Sequence, residues 1–103
     1  MKLEYKHKTI YMYGEDVVTH KAVLFIKTNS GKTFKFKNRR LLGKDLGTTM
    51  YAERRQLQDI LESVEDCIFD GSWNGAITKE EWQYINDHFD DLFFNKVLEF
   101  EIQ

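Results

Sequence analysis

Basic side chains are concentrated in one segment of the chain, and their spacing suits contact with phosphate groups. No acidic residue occurs between Asp16 and Asp45, so neighbours in the sequence do not neutralise this charge. Lysine and arginine side chains supply much of the affinity for a nucleic-acid backbone. The segment therefore predicts nucleic-acid binding, and protection of a sheet edge by lysines is the alternative explanation. The basic residues of the segment are Lys32, Lys35, Lys37, Arg39, Arg40 and Lys44.

Carboxylates recur at intervals of three, four or seven residues in two predicted helices. Those intervals place side chains on the same face of a helix. Two such acidic rows would imitate the phosphates of a nucleic acid and dock into the channel of a nucleic-acid-handling protein. The ordinary polar face of an amphipathic helix is the alternative explanation for each row. The rows consist of Asp59, Glu62 and Asp66 in the first helix and of Glu80, Asp87 and Asp91 in the second.

Residues 70–81 combine oxygen-bearing side chains with a central glycine, Gly75. The segment, DGSWNGAITKEE, resembles the twelve-residue calcium loop of EF-hand proteins. This resemblance implies weak Ca²⁺ binding, with a dissociation constant of about 10⁻⁴–10⁻³ M, because only two implied ligands are charged. A capping box at the start of a helix is the alternative explanation for Thr78 and Glu81. The implied ligands are the side chains of Asp70, Ser72, Asn74, Thr78 and Glu81 and the carbonyl of Ala76.

The sequence contains no convincing catalytic arrangement. None of the serines lies in a nucleophile elbow, and no glycine-rich phosphate-binding motif is present. The adjacent carboxylates Glu80 and Glu81 point in different directions on a helix, so they do not form an acid/base pair. The three histidines are scattered, which argues against zinc. We therefore expect a protein that is not an enzyme and that needs no cofactor, apart from Ca²⁺ in the EF-hand interpretation.

Composition and charge narrow the class of protein. The chain has 103 residues, of which 42% are hydrophobic and 31% charged, so we expect one globular domain spanning residues 1–103. Residues 1–49 carry a net charge of +7 and residues 50–103 a net charge of −9. The single cysteine, Cys67, excludes an internal disulfide and indicates a reducing compartment, so we expect the cytoplasm. There is no run of apolar residues long enough for a membrane span, and we expect no signal peptide.

Hydrophobic periodicity predicts the elements that must position these charges. Alternating residues over 3–38 predict a three-stranded antiparallel meander, followed by a loop from Arg39 to Gly47. A helix is predicted from about Thr49 to Asp66, with a stripe of Leu57, Ile60, Leu61 and Val64 that Met50 extends. A second helix begins at Thr78, and a closing strand contains Leu98, Phe100 and Ile102. The expected fold is α+β, in the order β-β-β-α-α-β, with two helices on one face of the sheet.

Together these features predict a small non-enzymatic protein-binding module with a basic N-terminal half and an acidic C-terminal half. Frequent Lys, Asn, Ile, Phe and Tyr without proline indicate an AT-rich genome. We therefore expect a phage or mobile-element accessory protein that inhibits a host nucleic-acid-handling or defence protein, such as a nuclease. An EF-hand-like calcium-binding module and a direct nucleic-acid-binding protein are the two alternatives.

Overall fold

Strands precede helices along the chain, and one short strand closes the sheet. The structure, a computed structural model, describes residues 1–11, 14, 16–43, 49–69 and 76–102, without the side chains of Thr49 and Phe69. Its elements are β1 (Lys2–Tyr11), β2 (Val17–Lys27), β3 (Thr33–Gly43), α1 (Thr49–Phe69), α2 (Lys79–Asp87), α3 (Phe89–Asn95) and β4 (Val97–Glu99).

The four described strands form one antiparallel sheet in the order β3-β2-β1-β4. The predicted meander is confirmed, but the predicted loop from Arg39 is wrong in its first part. Residues 39–43 continue β3 and pair with residues 17–21 of β2. Two glycines, Gly43 and Gly47, favour a loop in the sequence, whereas the available partner strand determines where β3 ends.

The second predicted helix is two helices, so the order is β-β-β-α-α-α-β within the α+β class. The division occurs at His88, whose ring Nδ1 donates a hydrogen bond to the carbonyl of Tyr84 over 2.8 Å. The start of α2 is as predicted: Thr78 Oγ1 accepts from the Glu81 amide over 3.1 Å, and Glu81 Oε1 accepts from the Thr78 amide over 2.9 Å. This capping box satisfies two amides that the first turn leaves without helical partners. Helix α3 ends at Asn95, and the capping residue that follows, Lys96, adopts a left-handed φ of 64°.

The core lies between the helices and one face of the sheet. Leu3, Leu24 and Ile26 point from the strands towards the predicted stripe of α1, which is buried from Leu57 to Val64. Burial of each leucine or isoleucine contributes about 1.5–3 kcal/mol. Met50 is an exception to the prediction, because its side chain is 60% exposed.

The closing strand is shorter than predicted. Its pairing with β1 covers Val97–Glu99, so Phe100 and Ile102 follow the strand instead of extending it.

Among the described residues, the helices are too short or too polar to cross a membrane.

Candidate nucleic-acid interface

The face of the sheet that the described helices leave uncovered, called here the open face, is strongly basic. Side chains alternate along each strand, so the residues between the core positions point to this face. Eight of them are exposed cations, whereas the acids on this face are Glu4 and Glu99 among the described residues. The cations are Lys2, Lys6 and Lys8 of β1, Lys21 and Lys27 of β2, and Lys35, Lys37 and Arg39 of β3.

The register places several of these cations directly opposite one another. Lys21 of β2 pairs with Lys8 on one side and with Arg39 on the other. Lys2 and Lys27 form a third like-charge pair. Directly opposed residues have Cβ atoms about 4.5–5.5 Å apart, and like charges at that distance destabilise a sheet. Of the eight cations, Lys2 alone forms an ion pair with a residue that the structure describes, Glu4 at 3.2 Å.

An aromatic ring lies among these cations. Phe25 of β2 points to the open face between Glu4 of β1 and Lys35 of β3. The ammonium nitrogens of Lys6 and Lys35 lie 5.5 and 5.4 Å from the centroid of the Phe25 ring, within cation–π range. A groove of about 300 Å³ runs beside the ring, with Lys2, Glu4, Lys27 and Thr33 among its lining residues.

The predicted basic segment does not form one surface. Lys35, Lys37 and Arg39 lie on the open face, and Lys32 is exposed in the turn before β3. The side chain of Arg40 lies on the opposite face, where its guanidinium is 3.7 Å from the carboxylate of Asp59 in α1. Lys44 lies outside the described residues.

Sequence reasoning missed five of the eight cations on the open face, those on β1 and β2. They are scattered through the first 27 residues and form no visible cluster. The signal that identifies them is the alternation within each strand combined with the hairpin register. The missed residues are Lys2, Lys6, Lys8, Lys21 and Lys27.

The predicted acidic residues lie on the helices, but one of them belongs to an internal contact. Asp59 is half-buried and bridges two arginines, Arg40 at 3.7 Å and Arg55 at 3.4 Å. It is therefore not part of a free acidic row, because the packing of α1 against β3 brings Arg40 to it. The other five are exposed, and Asp87 accepts a hydrogen bond from the Gln83 side chain over 2.9 Å. Those five are Glu62 and Asp66 on α1, Glu80 and Asp87 on α2, and Asp91 on α3.

The implied calcium loop falls partly outside the described residues, which exclude Asp70, Ser72 and Asn74. Of the remaining implied ligands, Glu81 is 6% exposed, and both of its carboxylate oxygens have protein partners. Oε1 accepts from the Thr78 amide, and Oε2 accepts from the Asn29 side chain over 3.2 Å. Within the described ranges, no group of three or more His, Cys, Asp or Glu side chains is arranged to hold a metal ion. Calcium binding therefore stays a prediction.

A buried polar network holds α1 against the three long strands. Gln56 is fully buried, and its side-chain nitrogen donates to the backbone carbonyl of His20 over 2.8 Å and to the Asn38 side chain over 3.0 Å. Its side-chain oxygen accepts from His7 Nε2 over 2.9 Å. Burial lowers the pKa of His20, and the nearby His7 ring lowers it further. The network fixes α1 on the face of the sheet opposite the open face.

A scan against protein-family models, a search of curated proteins and a search of solved structures each found no match to this chain.

Proposed function

We propose that this protein is a non-enzymatic binding module that engages the phosphate backbone of a nucleic acid through the open face. One observation carries the proposal: Lys8, Lys21 and Arg39 lie side by side across three adjacent strands. Among the described residues, no carboxylate forms an ion pair with any of them. An anionic ligand that lies across this row would relieve their mutual repulsion.

Protection of a sheet edge does not account for this arrangement. Lysines that prevent aggregation belong on edge strands, and β3 is an edge strand of the described sheet. Lys21 and Lys27, however, lie on β2, which is paired on both sides. Their charges therefore favour a ligand on the face of the sheet over a role at its edge.

The dimensions of the basic surface suit a polymer. Lys2 and Lys8 are six residues apart on β1, so the cations extend about 20 Å along the strand. That length corresponds to about six nucleotides of a stacked strand. A small anion would need only one of the cation pairs, whereas a nucleic-acid backbone contacts the whole surface.

The test compares two variants that each lose one lysine and one arginine. Lys21→Gln with Arg39→Gln removes charge from the open face, and Lys79→Gln with Arg55→Gln removes the same charge from the helices. The probe is a fluorescent oligothymidylate of about twelve nucleotides, twice the estimated span. We expect the open-face variant to bind about 10- to 30-fold more weakly at moderate salt, and the helix variant to bind like the parent. Equal affinities for the two variants would remove the open face as the binding surface.

A second candidate function is docking of the helices onto a basic protein surface, as an inhibitor of a nucleic-acid-handling protein would do. Glu62, Asp66, Glu80 and Asp91 are exposed, and none forms an ion pair within the described ranges. A groove of about 430 Å³ lies between α1 and the later helices, with Leu61, Glu62, Glu65, Trp82 and Phe89 among its lining residues. The lining also includes Arg55, Gln58 and Asn86, and the two carboxylates of the groove are complementary to basic side chains of a partner.

This second candidate has its own charge-reversal test. Glu62→Lys with Asp66→Lys should abolish capture of a nucleic-acid-handling protein from source-cell lysate, as measured by mass spectrometry. The matched control is Lys21→Glu with Arg39→Glu on the open face. Loss of the partner only in that control would assign docking to the sheet instead of the helices.

A further inference from the structure

We infer that the open face binds single-stranded nucleic acid, with one unpaired base stacked on the ring of Phe25. This inference rests on the proposed function, and it names the class of nucleic acid and the residue that contacts a base. The cations of the open face bind phosphates in any nucleic acid, whereas a ring on the surface of the sheet distinguishes unpaired from paired bases.

The Phe25 side chain lies on the surface of the sheet, outside the hydrophobic core. On β2 the side chains of Leu24 and Ile26 point into the core, so Phe25 between them points away from the helices. It is the only aromatic residue that the described strands place on the open face. Base stacking on such a ring contributes to binding independently of sequence, because every base has a π face.

The surroundings of the ring suit a nucleotide. Lys6 and Lys35 flank it from the two neighbouring strands, at 5.5 and 5.4 Å from its centroid. Their flexible side chains can move from the ring to phosphates while a base takes their place. The adjacent groove adds the ammonium group of Lys27 and the hydroxyl of Thr33, which can donate to the edge of a base, and Lys2 in the same groove pairs with Glu4.

The width of the sheet argues against a duplex. At the level of Phe25, where β4 pairs with β1, four strands spaced about 4.8 Å apart span about 14 Å between the outer strands. The major groove of B-form DNA is about 12 Å wide, so a sheet of this width cannot lie flat within it. Phe25 lies on an inner strand of the sheet, so we expect that bases which remain paired in B-form DNA do not reach its ring.

The decisive experiment measures fluorescence anisotropy with three probes of equal length: an oligothymidylate, an abasic strand with the same phosphates, and a duplex. We expect the parent to bind the oligothymidylate about ten-fold more tightly than the abasic strand, and more tightly than the duplex. Phe25→Leu should lose about ten-fold affinity for the oligothymidylate and none for the abasic strand. Phe25→Trp should restore the affinity, and its added fluorescence should be quenched by the oligothymidylate. Phe94→Leu, at an exposed phenylalanine on α3, is the matched control and should bind as the parent does.

The outcomes separate this inference from the proposed function. If the parent binds the abasic strand as tightly as the oligothymidylate, stacking is wrong, and Phe25 serves only as a surface on which lysine side chains pack. If the duplex binds as tightly as the single strand, the preference for unpaired bases is wrong. If none of the three probes binds at low salt, the proposed function itself fails. Thermal unfolding of Phe25→Leu and Phe25→Trp shows whether both variants are folded.

Discussion

Lys21 of β2 and Arg39 of β3 lie directly opposite each other on the open face, and Lys8 of β1 lies opposite Lys21 on the other side. Like charges in this arrangement lower the stability of the sheet. An acidic side chain at position 21 would turn both contacts into attractive ones. The repulsion therefore lowers the stability of the free protein, and the anionic ligand that we propose would relieve it.

Replacement of the central lysine should separate stability from binding. Lys21→Glu converts two repulsive cross-strand contacts into attractive ones, so we expect the free energy of unfolding to rise by about 0.2–1 kcal/mol. Urea denaturation at low ionic strength measures this change, and the gain should shrink at high salt because of screening. The same variant should bind the oligothymidylate more weakly than the parent. A less stable Lys21→Glu protein at low salt would show that these side chains do not repel one another in the native sheet.

Charge reversals at different positions on α1 should change the free energy of unfolding by different amounts, because the replaced side chains make different contacts. Asp59→Lys removes the pairing with Arg40 and Arg55 and places three cations together. We expect it to lower the free energy of unfolding by about 1 kcal/mol. Glu62→Lys and Asp66→Lys, at exposed positions, should each change it by no more than about 0.5 kcal/mol. Urea midpoints for the three variants check this, and equal midpoints would mean that the Asp59 contacts contribute nothing in solution.

The buried histidine should make stability depend on pH. The pKa of His20 is lowered in the folded protein, first by burial and then by His7. The unfolded chain therefore binds a proton at this site more readily than the native protein does, so the stabilising contribution is present above about pH 6.5. It should be lost as the pH falls through the lower native pKa. Urea midpoints between about pH 7 and pH 5 measure the loss, and His20→Gln should show a smaller decline. An unchanged decline in that variant would assign the pH dependence to other groups.

Calcium provides an independent test of residues 70–81. If the EF-hand resemblance reflects binding, millimolar Ca²⁺ should raise the thermal midpoint, because a ligand that binds only the native state stabilises it. Asp70→Ala should abolish the shift, and Mg²⁺ should produce less of it. Absence of a shift at about 10 mM Ca²⁺, well above the implied dissociation constant, would leave Thr78 and Glu81 with their capping role alone.

Local patterns in the sequence were sufficient to predict the core residues and the order of most helices and strands. The alternation that buries Leu3, Leu24 and Ile26 predicted the strands, and the spacing from Leu57 to Val64 predicted the buried stripe of α1. The Thr78 capping box predicted the start of α2. Each of these signals lies within one element, so no knowledge of tertiary contacts was needed.

Features that depend on register or on distant partners could not be predicted in this way. Nothing in the sequence around Gln56 indicates burial, yet its side chain is buried because His7, His20 and Asn38 reach it from three strands. The open face could not be predicted for the same reason. Its cations come from three strands and lie together only when the hairpins form with the observed register. The same register explains why Arg40, which the sequence groups with Lys35, Lys37 and Arg39, lies on the opposite face of the sheet.

The salt dependence of binding tests the central claim most directly. Each phosphate neutralised on a single strand contributes about −0.7 to the slope of log affinity against log salt concentration. Contacts from about six open-face cations predict a slope near −4 for the oligothymidylate. Lys21→Gln with Arg39→Gln should reduce its magnitude by about 1.4, whereas Lys79→Gln with Arg55→Gln should leave it unchanged. A slope near zero for the parent, or the same slope for the parent and the open-face variant, would contradict backbone binding by the open face.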